Sequence, residues 1–204
     1  MTGHIASLAA RFACIPKLVL FGVAAVIQIA LLGAMVADRA QILRGGTEVR
    51  LQTRPIDPRD LLRGDYVVLG YDISELPSGA LKNQPAGSRN PTVFVRLAPN
   101  REGIYEAVSV HTEPVAVARP EVLIRGRLAY GAGCGASGKP AFCEKLRIRY
   151  NLESYFVPEG EGKKLEEARN ARKVTVVAAV TPSGRAAIKR LLLDGQPVYD
   201  EPWF

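Results

Sequence analysis

"LVLFGVAAVIQIALLGAMVA" (Leu18–Ala37) is a run of twenty residues without a charge, and Gln28 is its only strongly polar side chain. A helix rising about 1.5 Å per residue carries such a run across a hydrocarbon core about 30 Å thick. A core helix with no polar stripe would need protein on every side, and one small domain does not supply it. The run is therefore expected to be a transmembrane helix. It outlasts the usual signal-peptide core of about 7–15 residues, and a cut after Ala37 would place Met35 where a small residue belongs. An uncleaved signal-anchor is expected over a cleaved leader. Cys14, in "RFACIPK", precedes the run instead of ending it, unlike a lipoprotein cysteine.

The flanks set an orientation. Arg11 and Lys17 lie ahead of the run with no acid before them, and Asp38 follows it at once, although Arg39 and Arg44 follow too. Short basic flanks prefer the cytoplasm, and a long domain crosses largely regardless of its charge. The expected layout is a short cytoplasmic segment (1–17), the span (18–37), a linker (38–46) and an extracytoplasmic domain (47–204). In a bacterium that is a single-pass inner-membrane protein with its body in the periplasm.

The net charge of +7 does not point to nucleic acid. Four of the 27 Lys and Arg and one of the 20 Asp and Glu precede Thr47, which leaves 23 against 19, interspersed. That is a solvated surface, not the clustered basic face that phosphates require. Of three cysteines, Cys134 and Cys143 bracket a glycine-rich loop, "GCGASGKPAFCEK", on the expected oxidising side. They are the candidate disulfide; free thiols, or half of a metal site lacking further ligands, are the alternatives.

Beyond the span the chain alternates. "EVRLQT" (Glu48–Thr53), "YVVLGYDI" (Tyr66–Ile73), "EVLIRGRLAY" (Glu121–Tyr130) and "KLRIRYNL" (Lys145–Leu152) read as strands. "TVFVRLA" (Thr92–Ala98) and "YEAVSVHT" (Tyr105–Thr112) flank "PNREG", whose Asn and Gly suit a hairpin connection. Glu161 to Ala171 is the one soluble-helix candidate. "KVTVVAAVTPSGRAAIKRLLLDG" reads as two strands turning at Pro182-Ser183-Gly184, with a helix over Arg185–Leu193 as the rival. Pro77–Pro91 reads as an exposed loop. The expected fold is mainly β: one N-terminal transmembrane helix and an antiparallel curled sheet or partly open barrel with one short helix.

"PIDPRDLLRGDYVVLGYDI" (Pro55–Ile73) concentrates the polar candidates. Pro55 and Pro58 forbid a ladder there, and Gly64-Asp65 suits a tight turn whose carboxylate accepts backbone N–H bonds. Tyr66, Val68 and Gly70 face one way along the following strand, and Val67, Leu69 and Tyr71 the other. Asp57, Asp60 and Arg63 are candidate binding residues, with Arg59 available to pair with the acids. Tyr66, Tyr71, Tyr150 and Tyr155 are candidates for lining a groove.

"GDYVVLGYDI" resembles the signature of the GDYXXLXY family of bacterial membrane-anchored proteins through Gly64, Asp65, Tyr66, Leu69 and Tyr71. "DPRDLLRGD" and "RYNLESYFVPEGEG" (Arg149–Gly162) are also similar to stretches of that family. The resemblance spans the anchor and nearly all of the outer domain. It implies little about activity, because the family is essentially uncharacterised. Members tend to be encoded beside multi-span membrane proteins, which implies an integral membrane partner.

The expected role is an accessory or interaction protein, not an enzyme, that docks on a membrane partner or cell-envelope component. Gln28 with Gly22, Ala25 and Gly33 suits helix–helix contact within the bilayer. The alternative is an envelope hydrolase in which Asp60 or Asp65 pairs with Glu159 or Glu161 as acid and base. Glu159 sits in the turn leading into the helix, where a carboxylate is well placed to cap the first turn, and capping is the expected role over catalysis. "GDYVVL" is also similar to the segment after the nucleophile of type I signal peptidases. That chemistry needs a Ser–Lys pair, and no serine lies between Ser7 and Ser74. With only His4 and His111, neither a His-based triad nor a multi-His metal site is expected, and no cofactor is called for.

Overall fold

The computed structural model describes residues 17–56, 66–82, 90–129, 145–158 and 160–201. The chain divides between Ala40 and Gln41. Helix α1 (Lys17–Gly45) covers the apolar run, and residues 17–39 are exposed all round. It is long and apolar enough to cross a membrane. Residues 38–45, expected to link span and domain, are the last two turns of this helix. Ile42 and Leu43 are buried and pack with Ala179 and Ala187.

The body is built from antiparallel strands, as expected. In chain order they are β1 (Thr47–Arg54), β2 (Tyr66–Val68), β3 (Gly70–Tyr71), β4 (Glu75–Pro77), β5 (Thr92–Pro99), β6 (Tyr105–His111), β7 (Val122–Ala129), β8 (Lys145–Arg149) and β9 (Ser154–Phe156). After helix α2 (Gly162–Asn170) come β10 (Val174–Val180), β11 (Ala186–Leu193) and β12 (Gln196–Asp200). One sheet runs β12-β11-β10-β1-β3, another β4-β8-β7-β5-β6, and β2 pairs with β9 as a ribbon. Arg50 of β1 bridges Ile104, the residue before β6, so the strands curl into a nearly closed barrel. Period-two alternation supplies the lining: Val49 and Leu51, Val93 and Val95, Leu146 and Ile148 point into one core.

Local chemistry explains the turns. The Asn100 side-chain oxygen accepts from the backbone N–H of Glu102 and of Ile104, closing the β5–β6 hairpin at 2.9 and 3.0 Å. At Thr181–Arg185 the Thr181 hydroxyl and the backbone close the turn between β10 and β11, so Arg185–Leu193 continues as a strand, not the rival helix. Tyr66–Ile73, expected as one strand, is broken instead into β2, β3 and a 3-10 turn over Asp72–Ser74. The break comes where the chain leaves β9 and crosses to β1. Pro77–Pro91 carries more order than a plain loop among its described residues. Ser78–Ala80 form a 3-10 turn and Leu81 bridges Val110.

Candidate functional site

The motif strand changes partners along its length, and its side chains divide accordingly. Tyr66 to Val68 pair with Phe156 to Ser154, Tyr71 pairs with Thr53 of β1, and Glu75 to Pro77 pair with β8. Val67, Leu69 and Tyr71, expected to share a face, are all fully buried. The Tyr71 hydroxyl donates to the Leu152 carbonyl oxygen at 2.6 Å, and the Tyr150 hydroxyl donates to that of Ile73 at 2.7 Å. These two tyrosines tie the motif strand to the segment before β9 and line no groove. Burial pushes both phenols well above their usual pKa, and the Glu153 carboxylate adds to it. Glu153 itself accepts the Tyr150 backbone N–H at 2.6 Å, which shapes the turn at Asn151.

The opposite face of the ribbon is exposed. Val68 is 38% and Phe156 80% exposed, and Tyr66 occupies the register position directly across from Phe156. Alternation puts these three positions on the side away from Val67 and Tyr155.

Tyr155 and Glu161, which the sequence offered separately, meet through a third residue, Tyr199. Its ring lies 6.3 Å from that of Tyr155, and its hydroxyl donates to Glu161 Oε2 at 3.4 Å. The Tyr155 phenol is pushed up to about 12, by burial first and by Glu201 next. Glu161 stands at the start of α2 but does not cap it through its side chain; its other carboxylate oxygen accepts from Lys164 at 3.2 Å. The capping role was expected of Glu159, which lies outside the described residues. Tyr199 was not singled out, because "QPVYD" is short and carries a proline.

A second unexpected residue is Arg169 of α2, which is 1% exposed. Its guanidinium donates to the carbonyl oxygens of Val68 and Ile56, and to the Asn170 side-chain oxygen. It therefore clasps the chain on both sides of residues 57–65. Burial lowers its pKa, and Glu166 counters this. A charged residue on a short polar helix gives no sign of such burial in the sequence.

Beside the far end of the motif strand lies a cleft of about 700 Å³, lined by Arg54, Asp72, Glu75, Lys145 and Arg172 among others. Glu75 accepts from Arg54 at 2.8 Å and from Arg147 at 3.1 Å, and Arg172 pairs with Asp72 at 2.7 Å. The guanidinium of Arg54, then that of Arg147, holds the Glu75 carboxyl below its ordinary range. Such an ionised, doubly paired carboxylate carries no proton to donate at neutral pH.

His111 sits on β6, and Ser109 Oγ lies 2.8 Å from its Nε2. The contact has the reach of a nucleophile and its base. Ser109, however, is 4% exposed, so its hydroxyl is packed away from solvent and serves the strand. No group of His, Cys, Asp and Glu suited to a metal occurs among the described residues.

Asp57, Asp60, Arg63, Gly64, Asp65, Glu159, Cys134 and Cys143, with Arg59, lie outside the described residues, and so do the carboxylate pairings and the disulfide expected of them. No curated protein and no solved structure matches this chain. A family model does: the one described as GDYXXLXY protein matches residues 28–191, most of the chain, and the chain belongs to that family.

Proposed function

We propose that this protein is a membrane-anchored accessory subunit that docks on an integral membrane protein through the exposed face of its β2–β9 ribbon. The observation carrying this reading is the division of the motif strand. Leu69 and Tyr71 build the core, while the Tyr66, Val68 and Phe156 positions lie on the outward face. A large aromatic that is 80% exposed beside a β-branched residue is what the anchor region of a protein–protein interface presents.

Helix α1 supports the choice of partner. A chain held in a bilayer meets another membrane protein at high effective concentration, so two modest contacts act together. The second contact is within the span, where Gly22, Ala25 and Gly33 permit close helix approach and Gln28 offers a hydrogen bond. In this reading the N-terminus is cytoplasmic, the body is periplasmic, and Cys134 and Cys143 form a disulfide in that oxidising space.

The test uses the full chain in its membrane, with a photo-crosslinking phenylalanine analogue at position 156 and, as control, at exposed Arg101. The expected result is a crosslink from position 156 to one integral membrane protein, absent from position 101. Co-purification of that protein in mild detergent is then lost in Phe156→Asp. Crosslinks to lipid alone, or equal yields from both positions, overturn the reading.

A further inference from the structure

On the outer side of the β1-β10-β11-β12 sheet lies a pocket of about 500 Å³, which involves no residue of the β2–β9 ribbon. Its lining includes Val177 and Leu192, which are buried at 3% and 7% exposure, with Pro99 and Pro197. The Tyr105 ring also lines it, with its hydroxyl donating to the Pro120 carbonyl oxygen at 3.1 Å. Three charged side chains also line it: Glu48, Arg50 and Arg190.

The charges are not equivalent. Glu48 is taken by Lys189 at 2.7 Å, and Arg190 by Asp200 at 2.9 Å. Arg50 has no side-chain hydrogen bond or ion pair among the described residues. Its backbone is fixed by the ladder to β10 and by the bridge to Ile104 that closes the barrel. The pocket therefore sets the apolar Val177, Leu192, Pro99 and Pro197 beside a guanidinium on a rigid strand. That guanidinium has no direct side-chain partner among the described residues and is acted on by Glu48 only at longer range.

From this geometry we infer that the pocket binds a small monoanionic carboxylate with a compact apolar body. A guanidinium takes a carboxylate through two parallel N–H···O bonds, and Val177, Leu192 and the prolines receive the apolar part. A volume of about 500 Å³ falls in the range of small-ligand sites. A cation is disfavoured because the one carboxylate here is neutralised by Lys189. A compact polyanion such as phosphate is disfavoured because the second guanidinium here, Arg190, is already paired with Asp200, and the Glu48 carboxylate stands in the same lining.

The experiment is ligand-observed saturation-transfer NMR on the full chain in nanodiscs, with empty nanodiscs as blank. The probes are 3-phenylpropionate, the uncharged 3-phenylpropanol, and inorganic phosphate. The expected result is saturable 3-phenylpropionate binding in the millimolar range, no saturable binding of the alcohol, and no displacement by phosphate at equal concentration. Arg50→Gln removes charge-assisted bonds at an exposed, unpartnered side chain and weakens binding about tenfold or more, whereas Arg50→Lys retains part of it. Pro197→Trp, which fills the pocket from edge strand β12, also abolishes the signal. Absence of saturable binding overturns the inference, as do unchanged binding in Arg50→Gln and displacement by phosphate.

Discussion

At Tyr71 the family motif acts through a hydroxyl that never meets solvent. Tyr71→Phe leaves the shape of the ring in place and strands the Leu152 carbonyl oxygen, so a loss of about 1–2 kcal/mol in unfolding free energy is expected in denaturant titrations. The same residue sets a pH dependence. Tyr71 and Tyr150 keep their protons when folded, because burial raises both above the ordinary value of 10.0. Unfolded tyrosines release theirs above that pH. The stability these phenols contribute is complete below about pH 10 and falls as the pH climbs beyond it, by up to about 1.4 kcal/mol per pH unit for each group. Urea midpoints between pH 9 and 11.5, on the order of that window, should therefore drop, and drop less steeply in Tyr71→Phe. An unaltered slope would show that the phenol ionises in place. Arg169→Met is expected to cost at least about 2 kcal/mol, since the buried carbonyl oxygens of Val68 and Ile56 lose their donor. Wild-type stability in that variant would assign the clasp to other groups.

Among the elements, the junction of α1 with β1 has little room, and what crowds it is backbone. A Cβ on Gly46 would lie 2.7 Å from the Ile42 carbonyl oxygen and 2.8 Å from the Val180 backbone nitrogen, and backbone cannot yield as a side-chain tip does. Gly46→Ala is expected to pry the last turn of α1 from β10 and to lower the thermal midpoint, at a cost of about 1–3 kcal/mol. Faster exchange of the amides of Ile42 to Gly46, with β5 and β7 unaffected, would localise the effect; uniform loss across the barrel would contradict it. The strands that the sequence disclosed are those whose alternation is long. β1, β5, β6 and β7 came within a residue or two of their observed ends, because apolar and polar side chains alternate along most of each in the sequence. The burial itself alternates cleanly in β1 and β5, while Val122, Leu123 and Ile124 of β7 are all buried. Alternation reports the face but not the partner. Tyr66–Tyr71 is thus legible as strand, while its passage from β9 to β1 is not. Strands β4 and β12 escaped notice because "ELP" and "QPVYD" are short and hold prolines. The same holds at the site. Period two puts Leu69 and Tyr71 on one face without saying that the face is core, whereas the meeting of Tyr155 and Glu161 at Tyr199 depends on pairings far apart in the chain.

For the molecule as a whole, the charge distribution and the apolar helix point the same way. The surplus of 23 basic over 19 acidic residues beyond Thr47 is small, and many of those charges neutralise one another, as Arg96 does with Glu121 at 2.6 Å. Electrostatics thus gives the body no strong reason to bind a polyanion, and in the proposed reading membrane residence depends on residues 18–37. That dependence is testable at the centre of the run. A charged side chain there costs on the order of 2.5–3.5 kcal/mol on insertion scales, so Ile27→Arg combined with Leu31→Arg exceeds what the remaining apolar residues can offset. In the parent chain, alkaline phosphatase fused after Phe204 is expected to be active, and the fusion to remain in the membrane pellet after alkaline carbonate washing. In the double variant the phosphatase should be inactive and the fusion should leave the pellet. Retention in the washed pellet with active phosphatase, despite both arginines, would mean that the body itself is carried across and held by something other than this helix.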